Sequence, residues 1–310
     1  MDWQLLQLWR AHLAISLRKA DVLALGESSY LFVDPSDQDT RKLPEMIVDH
    51  VGGGATLVTF RGGGYDPRLY CEVIRLLGGD CGRPRVVVLS LCVRASLATH
   101  VQVNPRFSYR RSQEIMACLS RPRPPLATLV VRRDERGADK SFEDERLVTR
   151  WTGVTTLGDF RERLRGASTA RDGATERLLF DYFHGETVAD NAPGLQRWRD
   201  LGRLLREFGV PVIAYHAPIP ISRGEAHFPG EFREHVRRNQ RMLERALSAE
   251  LGDALHLVEV TELPDSDFID AGDATEHLNQ HGRSKLAHTL APVIRSVLAG
   301  PSPTDVGSQS

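Results

Sequence analysis

Five short apolar runs, each closed by a Gly-rich or polar turn and separated by helix-like segments, constrain this chain more than any other feature. The runs are DVLALG (21–26), ATLVTF (55–60), RVVVLSL (85–91), VPVIAYHA (210–217) and ALHLVEV (254–260). A strand with one wet face alternates apolar and polar residues; these are apolar almost throughout, the pattern of parallel strands covered on both faces. Between them, DPRLYCEVIRLLG and APGLQRWRDLGRLLREFG repeat leucine and valine at three- and four-residue intervals and end on Gly, as helices do. The expected class is therefore α/β, built on a five-stranded, mainly parallel sheet.

At 310 residues and 41% hydrophobic content, the chain can bury a sizeable core. Residues 1–20 read as an amphipathic helix leading into the first strand. A targeting segment is disfavoured, because Asp2 stands where a positive charge belongs and Arg10 and His12 interrupt the apolar run. Between 97 and 174 the alternation fails in charged, proline-punctuated sequence such as SRPRPPLATLVVRRDERGADKSFEDERLVTRW. Amphipathic pieces there, SQEIMACLSR and TTLGDFRERLRG, predict an inserted, partly helical lid dividing an α/β domain of 21–96 and 175–300. Residues 301–310 read as a disordered tail. With 40 basic and 41 acidic residues, no global charge points to nucleic acid or a membrane surface. Cys71, Cys81, Cys92 and Cys118 show no CxxC or metal spacing, so reduced thiols in a cytoplasm are expected.

Parallel sheets bind ligands beyond the carboxyl ends of their strands, so the turns after the five runs should share one crevice. Those turns are GESSY, RGGGYD, CVRAS, HAPIPISRGEAHF and DSDFIDAGDATEHLNQHGRSKLA. Together they supply a serine, glycine backbone amides, arginines and an Asp/His pair, the parts of a nucleophilic acyl-transfer site. Neither a zinc-spaced cluster nor a GxGxxG after the first strand is present, so no metal or cofactor is expected.

LALGESS, FRGGGYD and DATEHLNQHGRSKLA resemble three blocks of the SGNH (GDSL-like) hydrolase superfamily, particularly its members with a large insertion, and the resemblance spans the chain. It implies a three-layer α/β/α, flavodoxin-like fold with Ser28 as nucleophile, His277 as base and Asp273 orienting it. Gly62, Gly63 and Gly64 would then supply oxyanion N–H groups. Two departures stand out. Asp273 precedes His277 by four residues rather than three, which leaves Asp270 and Glu276 as rival orienting groups. Cys92 stands where the family has an oxyanion-binding Asn, and a thiol is a weak donor; Asn104, Arg94 or a neighbouring N–H could take over.

Plainer readings exist for each residue. Ser28 and Ser29 could cap a helix, the glycines could serve a turn, and Asp273 could cap the last helical region beside a structural His277. His216 and His227 would line or support the crevice. Arg61, Arg94, Arg106 and Arg223, at or after strand ends, are either solvated faces or a positive field for a carboxylate, phosphate or sulfate. The leading expectation is an ester-cleaving or acyl-transferring enzyme acting on a small or carrier-tethered substrate. The alternatives are a biosynthetic enzyme closing a ring with expulsion of sulfate or phosphate, and a non-catalytic partner subunit.

Overall fold

The computed structural model describes residues 20–61, 66–77, 83–97, 146–166, 173–269 and 274–300. The predicted N-terminal helix, the tail, most of the insertion, and Gly62, Gly63, Gly64, Asn104, Arg106, Asp270 and Asp273 lie outside them. In chain order the elements are β1 (Val22–Gly26), α1 (Leu43–Val51), β2 (Leu57–Arg61), α2 (Pro67–Leu77) and β3 (Val86–Leu91). There follow α3 (Leu157–Gly166), α4 (Gly173–His184), α5 (Pro193–Phe208), β4 (Val212–His216), α6 (Ile221–His227), α7 (Phe232–Leu251), β5 (Leu255–Val258) and α8 (Gln280–Ala299).

All five strands are parallel, in the order β2-β1-β3-β4-β5. Alternate residues of each strand feed two cores. Leu23, Leu25, Val87, Leu89, Val212 and Ala214 pack against α2, α5 and α7, while Val22, Ala24, Val86, Val88 and Ile213 pack against α1 and α8. This is the three-layer α/β/α fold. Each fully buried leucine or valine of the sheet contributes about 1.5–3 kcal/mol, which is why the apolar runs dominate the sequence.

From β1 the chain crosses to β2 on one side and next to β3 on the other. The carboxyl ends of β1 and β3 therefore flank the point where the winding reverses, the place where such sheets open a crevice. Gly26 closes β1 there, and a Cβ on it would lie 2.5 Å from the ring of Tyr30, which is wholly buried. Gly26→Ala should thus destabilise the chain by about 1–3 kcal/mol through overpacking. An unchanged denaturation midpoint would contradict that packing. The other glycine run, Gly52 to Gly54, is a turn in which all three residues hold positive φ (67°, 65° and 73°).

The described part of the insertion packs on α4. Leu147, Val154, Leu157 and Phe160 form a small core with Leu178 and Tyr182, and the wholly buried Asp181 accepts the backbone N–H groups of Arg150, Trp151 and Thr152. The sequence boundary at 175 cuts into α4, which shares one face with the insertion. Its last turn reaches the carboxyl end of the sheet, with Phe183 under the Arg94 guanidinium and His184 bonded to Ala274.

Candidate active site

The turn after β1 is a single 3-10 turn, Ser28–Tyr30, and its cap is Glu27 rather than a serine. One Glu27 oxygen accepts the backbone N–H of Ser29; the other accepts the hydroxyls of Ser29 at 2.6 Å and Ser90 at 3.1 Å. Glu27, Ser29 and Tyr30 are buried and Ser28 is only half-buried. Because Glu27 satisfies the turn, the Ser28 hydroxyl is left for another partner, and that partner is His277, whose Nε2 lies 3.1 Å from Ser28 Oγ.

The imidazole is held on two sides. Its Nδ1 lies 2.8 Å from the hydroxyl of Thr275, and the ring of Phe32 stacks on it at 3.9 Å between centroids. A neutral ring carrying its proton on Nδ1 donates to Thr275 Oγ1 and leaves Nε2 free to accept the Ser28 proton. Neither Thr275 nor Phe32 stands out in the sequence. The helix cap in this region is Asn279, which accepts from the N–H groups of His281 and Gly282 at the start of α8.

Glu276, the rival orienting acid, faces elsewhere. Both its oxygens accept from the Arg94 guanidinium, one of them at 2.8 Å from Nε, and Cys92 Sγ donates to it at 3.6 Å. Arg94 and Glu276 are 6% and 1% exposed, so this is a fully buried ion pair one residue from His277. Burial is the largest influence on the Glu276 carboxyl and would raise it; the Arg94 charge, His184 and the hydrogen bonds from Arg94 together outweigh it and hold the group below the usual range. Burial is likewise the largest influence on Arg94 and lowers it, but the charge and hydrogen bonds of Glu276, with Cys92 and Glu27 adding to them, together more than reverse it, so the guanidinium stays charged. Burial pushes the Cys92 thiol well up, with Glu276 adding to the effect. Cys92 is thus a protonated thiol committed to a carboxylate. It and Cys71 are buried free thiols.

On the other side of the 274–277 segment, His184 Nε2 lies 2.7 Å from the Ala274 carbonyl oxygen, to which it donates. Burial pulls His184 down to about 4, Glu276 working against that shift and Arg94 adding to it. A folded pKa depressed from 6.5 means that the unfolded chain takes up a proton first. The stability linked to His184, on the order of 3 kcal/mol, is complete above pH 6.5 and lost as pH falls toward 4. His184→Gln keeps an N–H donor without the titration, so its stability should fall less across that window. Equal pH slopes for the two proteins in denaturant titrations would contradict this.

The remaining candidates disperse. Arg61, at the end of β2, donates to the Tyr30 carbonyl at 3.1 Å and lies 3.9 Å from Glu45. Arg223, expected in a loop, sits in α6 and pairs with Glu176, as does His227. His216 ends β4 with its Nε2 2.9 Å from Glu244, beside a separate cavity. Among the described residues no helix is long and apolar enough to cross a membrane.

No protein-family model and no curated protein matches the sequence. Among solved structures, the chain is similar to Est24, a carbohydrate acetylesterase from Sinorhizobium meliloti, at 11% identity and a TM-score of 0.37. The match covers 90% of this chain and 100% of the other. A likeness this remote carries no argument about chemistry.

Proposed function

We propose that the chain is an enzyme that cleaves or transfers an ester-type bond through a covalent acyl intermediate on Ser28. The observation that carries this reading is the 3.1 Å contact between Ser28 Oγ and His277 Nε2, with Ser28 half-exposed at the winding reversal of the sheet. Ser28 Oγ attacks the acyl carbon as its proton passes to His277 Nε2. The tetrahedral oxyanion then collapses, and the leaving alcohol departs with that proton. Water or a second acceptor next attacks the acyl carbon as its proton passes to His277, and the acyl group leaves Ser28, whose Oγ takes that proton back from His277. Thr275 Oγ1 is placed to accept the Nδ1 proton that the required tautomer carries.

Oxyanion stabilisation falls to the backbone. The Ser28 N–H opens the 3-10 turn and has no acceptor among the described residues. Cys92 is turned to Glu276 and makes no such contribution. The anion-expelling reading loses support for a parallel reason, since Arg94 is neutralised by Glu276 and Arg223 is paired with Glu176.

A fluorophosphonate probe tests the proposal. Expected is one adduct, on the peptide containing Ser28, in the wild-type chain and none in His277→Gln. Absence of labelling in a folded wild-type chain would favour a non-catalytic role.

A further inference from the structure

Phe32 is the one aromatic among the large apolar side chains that stand exposed in the described residues, and it lies against the proposed base. A single exposed apolar side chain is ordinary on a protein surface. What sets Phe32 apart is how it is held. Its backbone N–H donates to the Ser28 carbonyl at 3.2 Å, and its ring centroid lies 3.9 Å from that of the His277 imidazole with 26° between the planes. It thus touches both members of the reacting pair. The chain beyond it is fastened to the start of α8. The Asp37 carboxylate, 4% exposed, pairs at 2.8 Å with the wholly buried guanidinium of Arg283 and accepts the backbone N–H of Gln280 at 3.0 Å. The same guanidinium donates to the carbonyls of Asp39 and Arg41, and Gln280 Oε1 accepts the Asp39 N–H. Anchored at both ends, the ring keeps its place without a core around it.

Stacking on the imidazole covers one face of the ring. The 45% of Phe32 that stays exposed therefore includes the other face and the rim. In acyl transfer the acyl carbon is bonded to Ser28 Oγ, while the leaving oxygen takes its proton from His277 Nε2. The part of the ester nearest the imidazole, and so nearest Phe32, is its alcohol portion.

We propose that Phe32 is a specificity-determining residue whose free face binds the alcohol portion of the ester and selects a leaving group that carries an aromatic ring. Such a ring offers a flat apolar face and a quadrupole that favours offset or edge-on packing against a second ring. This inference rests on the acyl-transfer reading of Ser28 and His277.

The test compares benzyl acetate with ethyl acetate, which share an acyl group and leave as alkoxides of similar basicity. Expected in the wild-type chain is a kcat/KM about tenfold or more higher for the benzyl ester. Cyclohexylmethyl acetate, of similar bulk without a flat face, should be turned over at least about threefold less efficiently than benzyl acetate. Phe32→Ala should bring the benzyl-to-ethyl ratio within about twofold of unity, and Phe32→Trp should keep it above about fivefold. Loss of the stack on His277 slows both esters alike and cancels in the ratio, so a merely structural role leaves the ratio where it was. A wild-type ratio near unity, equal turnover of the benzyl and cyclohexylmethyl esters, or the wild-type ratio retained in Phe32→Ala would overturn the proposal. Fluorophosphonate labelling of the same samples separates the two ways of failing. An unlabelled Ser28 in the wild-type chain defeats the acyl-transfer reading, whereas a labelled Ser28 with an unchanged ratio in Phe32→Ala defeats only the assignment of Phe32.

Discussion

Ser28→Ala is expected to lower turnover of an activated ester such as p-nitrophenyl acetate by about ten-thousandfold or more, with the fold intact. The hydroxyl is small and half-exposed and its partner in the structure is His277, so its removal leaves the sheet, the Glu27 cap and both cores in place. The size of the effect follows from the chemistry, since without Oγ no covalent intermediate can form and only backbone stabilisation of the oxyanion survives. His277→Gln should cost a similar factor. The double variant should lose no more than the worse single one, because nucleophile and base act as a unit. Steady-state kinetics on the three variants, with circular dichroism as the control for folding, decides. Retention of a tenth or more of the activity in Ser28→Ala would show that the serine only lines the crevice.

The second large effect is on stability and centres on the buried ion pair beneath His277. Arg94→Ala leaves the Glu276 carboxylate without its guanidinium in a site that water hardly reaches, and Glu276→Ala leaves Arg94 in the same state. Either change should destabilise the chain by roughly 3–5 kcal/mol, most of it the penalty of an uncompensated buried charge. Replacing both, as Arg94→Met/Glu276→Leu, should recover much of that loss, because apolar groups of similar volume need no partner. Guanidinium titrations of the four proteins measure it. A double variant as unstable as the sum of the single ones would contradict the account, since the two residues would then act independently. Glu276 adjoins His277, and Arg94 follows β3, so the charge pair ties the His277 segment to the middle of the sheet.

The fold was legible because the parallel strands are covered on both faces, which makes them short apolar runs that few other structures require. β1 at 22–26 and β3 at 86–91 fall within a residue of the runs that announce them. α7 was overlooked for the opposite reason. Its buried stripe includes His235 and Asn239 among Phe232, Val236, Leu243 and Leu247, and arginines and glutamates fill the rest, so the helical period is thin in apolar residues.

At the site, Ser28 was readable because it lies in a polar turn directly after an apolar run, and His277 because it lies in the polar stretch between the last apolar run and the closing helix. Their surroundings were not. Glu276 looked like an acid beside a histidine, and its partner Arg94 lies 182 residues away, a pairing that no local spacing reveals. The same holds for His184 and Ala274, 90 residues apart. Thr275 was passed over because a hydroxyl two residues before a histidine is ordinary in a turn, and Phe32 because an aromatic six residues past a strand reads as core. Phe32 is in fact 45% exposed and acquires its meaning only by stacking on the imidazole.

The most direct test is to trap the intermediate. Wild-type chain mixed with excess p-nitrophenyl acetate, quenched in acid during the first turnovers and digested, should yield the peptide containing Ser28 with the mass of one added acetyl group, localised to Ser28 by fragmentation. His277→Gln treated identically should yield the unmodified peptide. Turnover without an acyl group on Ser28, or acetylation at another residue accounting for the turnover, would contradict the account.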